Sequence, residues 1–148
     1  MPLLFGTAGV PLSTKGGSTE AGVRRVRELA LDAMEVEFVQ GVRMGEEKAG
    51  KIAKIAQEVN VALSCHGPYW INFNSQDPEK VVASRERLLH SARIGQILGV
   101  KSVVFHPAFY HEDEPELVLE RTARELLKVR EILDAEGNQV ILRPETTG

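Results

Sequence analysis

Two histidines and a glutamate recur at nearly equal steps along the chain: His66, His106 and Glu145, 40 and 39 residues apart. Each closes or directly follows an apolar run, Val61 to Cys65, Val100 to Phe105 and Val140 to Arg143, and so falls at the carboxyl end of an expected strand. Neighbouring parallel strands lie about 4.8 Å apart, so side chains at matched register on three consecutive strands converge on one spot. Two neutral imidazoles and a carboxylate suit zinc, or another divalent ion such as manganese, at roughly 2.0–2.2 Å per ligand. His66 and Glu145 stand two strands apart, roughly 9–10 Å at the backbone. The longer glutamate side chain and a curved sheet have to close that gap. One histidine at a strand end is commonly a polar cap and nothing more. Three ligating residues at equivalent places argue for a centre.

The elements that must position them alternate between short apolar runs and helical stretches. Leu3 to Gly6 reads as a buried first strand, followed by a turn over Ser13 to Thr19 with Ser18 as a helix N-cap. Val23, Val26 and Ala30 mark one face of the first helix, and Ala33 to Val39 alternates as a second strand. Ile52, Ile55, Ala56 and Val59 repeat at helical spacing before the third strand, Val61 to His66. A loop, Gly67 to Gln76, leads to Asp77-Pro78, an N-cap with proline at the first helical position. That helix carries Val81, Leu88, Leu89, Ala92 and Leu98 and stops at Gly99. The fourth strand, Val100 to Phe105, runs into His106-Pro107, and the fourth helix, from Pro115, stops at Gly137. Val140 to Arg143 is the fifth strand, ending at Pro144-Glu145.

This order, (βα)4β, implies parallel strands with right-handed crossovers. An open five-stranded sheet and the N-terminal portion of a (β/α)8 barrel (a TIM barrel) both satisfy it. The first turn, Gly6-Thr7-Ala8-Gly9-Val10-Pro11, lacks the GxGxxG spacing, and no GxxxxGK[ST] occurs. Parity along the strands favours the barrel. If Glu145 points inward so does Arg143, and Glu35 and Glu37 share one face of the second strand. An interior ion pair of Arg143 with Glu35 or Glu37 is the expectation, and a barrel accommodates such a charged layer better than an open sheet.

Composition bounds the function classes. With 148 residues, 43% hydrophobic and 26% charged, the chain is expected to fold as one domain, residues 1–148. The net charge of −3 argues against nucleic-acid binding by a bulk positive field. No apolar run approaches the ~18 residues of a membrane span, and the start, Met1 to Gly6, has no charged leader region. A single cysteine, Cys65, fits a reducing, cytoplasmic setting.

At the candidate ligands the sequence resembles endonuclease IV, the second family of abasic-site endonucleases within the xylose isomerase-like superfamily. His66-Gly67-Pro68-Tyr69-Trp70-Ile71-Asn72 is similar to its His-Ala-Pro-Tyr…Ile-Asn motif. His106-Pro107 is similar to its His-Pro-Gly, and Glu145-Thr146-Thr147-Gly148 to its Glu-Asn-Thr-Ala-Gly. The resemblance implies a TIM barrel, here its N-terminal (βα)4β portion cut after the fifth strand. It implies zinc-dependent hydrolysis of the phosphodiester 5′ to an abasic site in DNA, a DNA repair reaction, by metal-assisted attack of water. His66 and His106 would hold one zinc of a trinuclear cluster, with Glu145, the catalytic carboxylate, bridging to a second. The other ligands of that cluster come from strands beyond the fifth, so this chain alone is expected to be incomplete.

Around the centre, Tyr69 would lie against DNA, Asn72 would bind substrate, and Arg43 is the one cation in Gln40 to Gly45, where the endonucleases present basic and aromatic residues. Glu37 would contact substrate or a metal-held water. Glu35-Val36-Glu37 is more similar to the second strand of the sugar isomerases and epimerases of the same superfamily, which makes a divalent-metal reaction on a sugar the alternative. A non-catalytic fragment that self-associates through exposed sheet edges is the third reading. Trp70 and Phe73 either stack on substrate or pack the loop, and Asn74 either binds substrate or shapes a turn. His111 is assigned to the start of the fourth helix, Cys65 to the helix-facing side of its strand, and Arg24, Arg25, Arg27, Arg85, Arg87 and Arg93 to solvated helix faces.

Overall fold

A computed structural model describes residues 3–146. Thr147 and Gly148, the end of the last motif, lie outside the described residues. Five strands and four helices alternate: β1 (Gly6–Ala8), α1 (Thr19–Glu28), β2 (Ala33–Glu37), α2 (Glu46–Glu58), β3 (Ala62–His66), α3 (Pro78–Leu98), β4 (Ser102–Phe105), α4 (Pro115–Ala135) and β5 (Ile141–Pro144). The strands pair in parallel in chain order, β1-β2-β3-β4-β5. With no reversal of strand order and helices on one face, this is a partial (β/α) barrel and not a doubly wound open sheet.

Local signals set most helix ends. The Ser18 side chain accepts from Ala21 N–H at 3.2 Å, and Asp77 accepts from Glu79 N–H at 3.0 Å. Gly99 (φ 74°) and Gly137 (φ 70°) reverse the chain after α3 and α4. Ala30 (φ 58°) and Asn60 (φ 54°) do the same after α1 and α2, without glycine's freedom.

Burial is one-sided. Met34, Val36, Cys65, Val103 and Phe105 alternate along the strands on the face that the helices cover, and all are buried. They meet Val23, Val26, Ile52, Leu88, Leu89, Ala92, Val129 and Leu133 from the helices. The opposite face, the barrel interior, carries Glu35, Glu37, Ser64, His66, Val104, Ile141 and Arg143, and much of it is open: Ile141 is 51% exposed.

Three expectations are corrected here. The first strand is Gly6–Ala8, not Leu3 to Gly6, and Leu3, Leu4 and Phe5 are exposed where they lead in at the sheet edge. Arg143 makes no ion pair with Glu35 or Glu37 among the described residues: β2 and β5 are three strand spacings apart, about 14 Å, and Arg143 reaches solvent across the open face. Glu35 instead accepts from the Ser64 hydroxyl at 3.4 Å. Arg85 is not a solvated charge but packs between α3 and α4, its Nε 2.9 Å from buried Glu125, which Lys128 also contacts.

One-sided burial makes like substitutions unequal. Ile52→Ala, in the helix-facing core, should cost about 2–5 kcal/mol in urea unfolding, while Ile141→Ala on the open face should stay within ~1 kcal/mol.

Candidate metal centre

Backbone register brings the ligands together, though not at one level. His66 pairs with Val104, so His106 lies two residues further along its strand direction, roughly 6.6 Å. Glu145 stands beside His106, since Phe105 pairs with Pro144 and Glu145 N–H donates to the Phe105 carbonyl at 2.9 Å. Matched register therefore holds for His106 and Glu145 and not for His66. The half-exposed glutamate closes the difference: its Oε2 lies 3.6 Å from His66 Nε2 and 3.7 Å from His106 Nε2. All three ligand atoms lie within 4.8 Å of one another.

Hydrogen bonding constrains what can sit between them. His66 Nδ1 is 2.8 Å from the Gly67 carbonyl, which can only accept, so Nδ1 carries the proton. In the neutral ring the Nε2 lone pair then faces a carboxylate oxygen, an arrangement that is repulsive unless a cation or a proton bridges the two. Ligands at about 2.0–2.1 Å around tetrahedral zinc stand roughly 3.4 Å apart, close to the observed contacts. The donor set thus fits zinc or a similar divalent ion. Gly67 itself is buried, and a Cβ there would stand 3.2 Å from Phe105 Cβ, a tight contact at the turn beside the two histidines.

Tyr69 packs against both imidazoles, with ring centroids 5.5 Å from His66 and 5.7 Å from His106, and keeps 53% of its surface exposed. Trp70 beside it is exposed, whereas Phe73 is buried and packs the loop. Glu37 pairs with His66 across the strands, and its carboxylate lies against Gly9, where a Cβ would come within 2.9 Å of Oε2. Gly9 holds φ 76°, the left-handed region that favours glycine at this turn. Glu37 and Arg43 line a cleft of about 440 Å³ at the carboxyl ends of β1 and β2, together with Glu35 and Lys48. Neither joins the ligand group.

Asn72 is turned to the protein: its Oδ1 accepts from Asn74 N–H at 3.0 Å and Phe109 N–H at 3.4 Å, and its amide nitrogen is 3.3 Å from His111 Nε2. His111 does not start α4, which begins at Pro115; it holds φ 52° in the preceding loop. Asn74 is completely buried and bonds Phe109, Asp113 and Arg121. Sequence reasoning left Asn74 open and missed Asp113 and Arg121, because their partners lie across two loops.

These ligands sit in a matched sequence frame. The description of a xylose isomerase-like TIM barrel fits residues 23–148. The chain belongs to this family. An uncharacterized protein of Methanocaldococcus jannaschii is 38% identical over 146 residues, covering 99% of this chain and 52% of the relative. A probable endonuclease 4 of Streptomyces coelicolor is 30% identical over 139 residues, covering 73% of this chain and 47% of the relative. The chain thus spans about half the length of the curated relatives it matches. Among solved structures of the xylose isomerase-like fold, an L-ribulose 3-epimerase superposes with TM-score 0.76 at 18% identity, over 98% of this chain and 50% of that one. Endonuclease IV of Thermus thermophilus gives 0.68 at 19%, over 91% and 50%. A second Thermus thermophilus protein, soaked with zinc chloride, gives 0.62 at 28%, over 91% and 54%. DNA-acting and sugar-acting enzymes thus share this fold, and no helix among the described residues is long and apolar enough to cross a membrane.

Cys65, next to His66 in sequence, points to the helix side and is fully buried. Burial, with a smaller contribution from the Glu35 charge, pushes its thiol up from 9.0 to about 12. The folded chain keeps the proton that the unfolded chain loses above pH 9.0, so this contribution to stability is whole below pH 9.0 and lost as pH rises toward 12. Native protein should accordingly resist iodoacetamide at pH 8 and react once unfolded.

Proposed function

We propose that this chain supplies the N-terminal half of an endonuclease IV-like barrel and, with it, one metal position of a hydrolase that cuts DNA at abasic sites. The observation that carries the proposal is the approach of two imidazole Nε2 atoms to one carboxylate oxygen, at 3.6 and 3.7 Å. Two nitrogens and one oxygen form a set that suits zinc better than the all-oxygen sets of magnesium or calcium. The probable endonuclease 4 relatives support the same reading.

When bound, the ion supplies Lewis-acid stabilisation of charge on the phosphate and leaving oxygen. His66 and His106 hold it as neutral donors. Glu145 adds the single negative charge, so the site keeps net positive charge for a phosphodiester. Tyr69, exposed and packed on both ligands, offers a ring face to the DNA at the break. Arg43 is the cation at the adjacent cleft, and local contacts of this sort must hold the DNA, because the chain as a whole is acidic. The lone thiol suits the reducing cytoplasm.

A sugar isomerase or epimerase is the second reading, and Glu37 favours it: the carboxylate is level with His66 and lines the cleft beside the centre. Self-association through the sheet edges, without catalysis, is the third, favoured by the open inner face.

Zinc- or manganese-dependent cutting of an abasic-site duplex should be abolished by His106→Ala under the first reading. Turnover of a ketose with no cutting of the duplex would support the second. Neither activity, with a dimer in sedimentation, would support the third.

A further inference from the structure

His106 lacks the restraint that fixes His66. His66 Nδ1 is tied to the Gly67 carbonyl, whereas His106 Nδ1 is buried without a hydrogen-bond partner among the described residues. A ligating histidine ordinarily donates its second ring N–H to an outer acceptor, which sets the ring's orientation. For His106 the restraint comes through the backbone. The carbonyl of Pro107, the next residue, accepts from Phe73 N–H at 2.9 Å and ties the turn after β4 to the loop after β3.

Asn74, directly after Phe73, locks that tie. Its side chain is fully buried, and its amide nitrogen donates to the Phe109 carbonyl and to Asp113 Oδ2, both at 3.0 Å. Its Oδ1 accepts from Arg121 Nη1 at 2.8 Å, and the same nitrogen is 3.0 Å from Asp113 Oδ2. Gln76 adds a bond to that oxygen at 3.1 Å. One amide, one carboxylate and one guanidinium thus join the loop after β3, the loop after β4 and the first half of α4. The bonds these three groups make run across those segments, and none of them reaches the metal centre.

We propose that Asn74, Asp113 and Arg121 are positioning residues for His106, holding the His106-Pro107 turn within reach of Glu145 and His66 in place of an outer-shell hydrogen bond. The proposal rests on the metal reading of His66, His106 and Glu145. Substituting Asn74→Asp would set a second carboxylate 3.0 Å from Asp113 and leave the Phe109 carbonyl without its donor. The turn carrying His106 would then shift while the core beneath the sheet stays intact.

Zinc affinity, by competition with a chromophoric chelator, and the histidine ring resonances of metal-free protein test this together. Asn74→Asp should weaken zinc about tenfold and move the His106 ring signals, leaving those of exposed His90 in place. If that variant does not fold, Asp113→Asn makes the same test at a less buried position. A lowered melting temperature with unchanged zinc affinity and unmoved His106 signals would reduce the network to loop stability and overturn the proposal. Wild-type protein that takes up no zinc would overturn the metal reading instead, and the His106 signals would then decide the positioning claim alone.

Discussion

The hydrogen-bond register of β3, β4 and β5 is the constraint from which the rest follows. Because the strands are parallel and pair in chain order, everything that leaves their carboxyl ends gathers on one rim. Register then decides which residues share a level: His106 with Glu145, and His66 a pleat below, beside Glu37. A slip of one residue on any of these strands would turn a ligand toward the helices and bring a core residue such as Cys65 or Phe105 to the open face. The helix-side packing that buries Cys65, Val103 and Phe105 therefore also sets His66, His106 and Glu145 on the open rim. Fold stability and site geometry depend on the same alternation.

The cluster at the rim holds like groups close together. Two imidazole nitrogens and a carboxylate oxygen are held close by backbone elements that gain their stability elsewhere, and the group is relieved by a bridging cation or proton. Such a cluster is costly for folding alone, and the sheet carries that cost because its helix-facing side is so thoroughly buried. The inner face contributes little to the core and is free to carry Glu35, Glu37, Ser64 and Arg143. Parallel sheets are ordinarily covered on both faces, and the open inner face agrees with a chain that spans about half the length of its relatives.

Much of this was legible in the sequence. The convergence of His66, His106 and Glu145 followed from their spacing and their place after apolar runs. Ser18, Asp77, Gly99 and Gly137 marked helix ends because capping and left-handed turns have strong residue preferences. The end of the first helix was hidden, since Ala30 takes the left-handed region without the residue preference that glycine, or Asn60 after the second helix, brings. Arg143 with Glu35 or Glu37 was misjudged because parity tells which face a residue takes but not how many strands separate it from a partner. The Asn74–Asp113–Arg121 network was beyond reach for a related reason: residues 74 and 113 meet only after two loops have folded against each other. Leu3 to Phe5 read as a core strand on hydrophobicity alone, yet an edge with no neighbour leaves such residues in solvent.

The central claim is that the strand register builds one metal position from His66, His106 and Glu145. Zinc content of the purified chain, set beside that of Glu145→Ala by elemental analysis, tests it most directly. The account predicts about one zinc per chain in the wild type, a tetrahedral site of this donor set, and its loss in the variant with the fold retained by circular dichroism. Equal zinc in both proteins, or none in either, would contradict it.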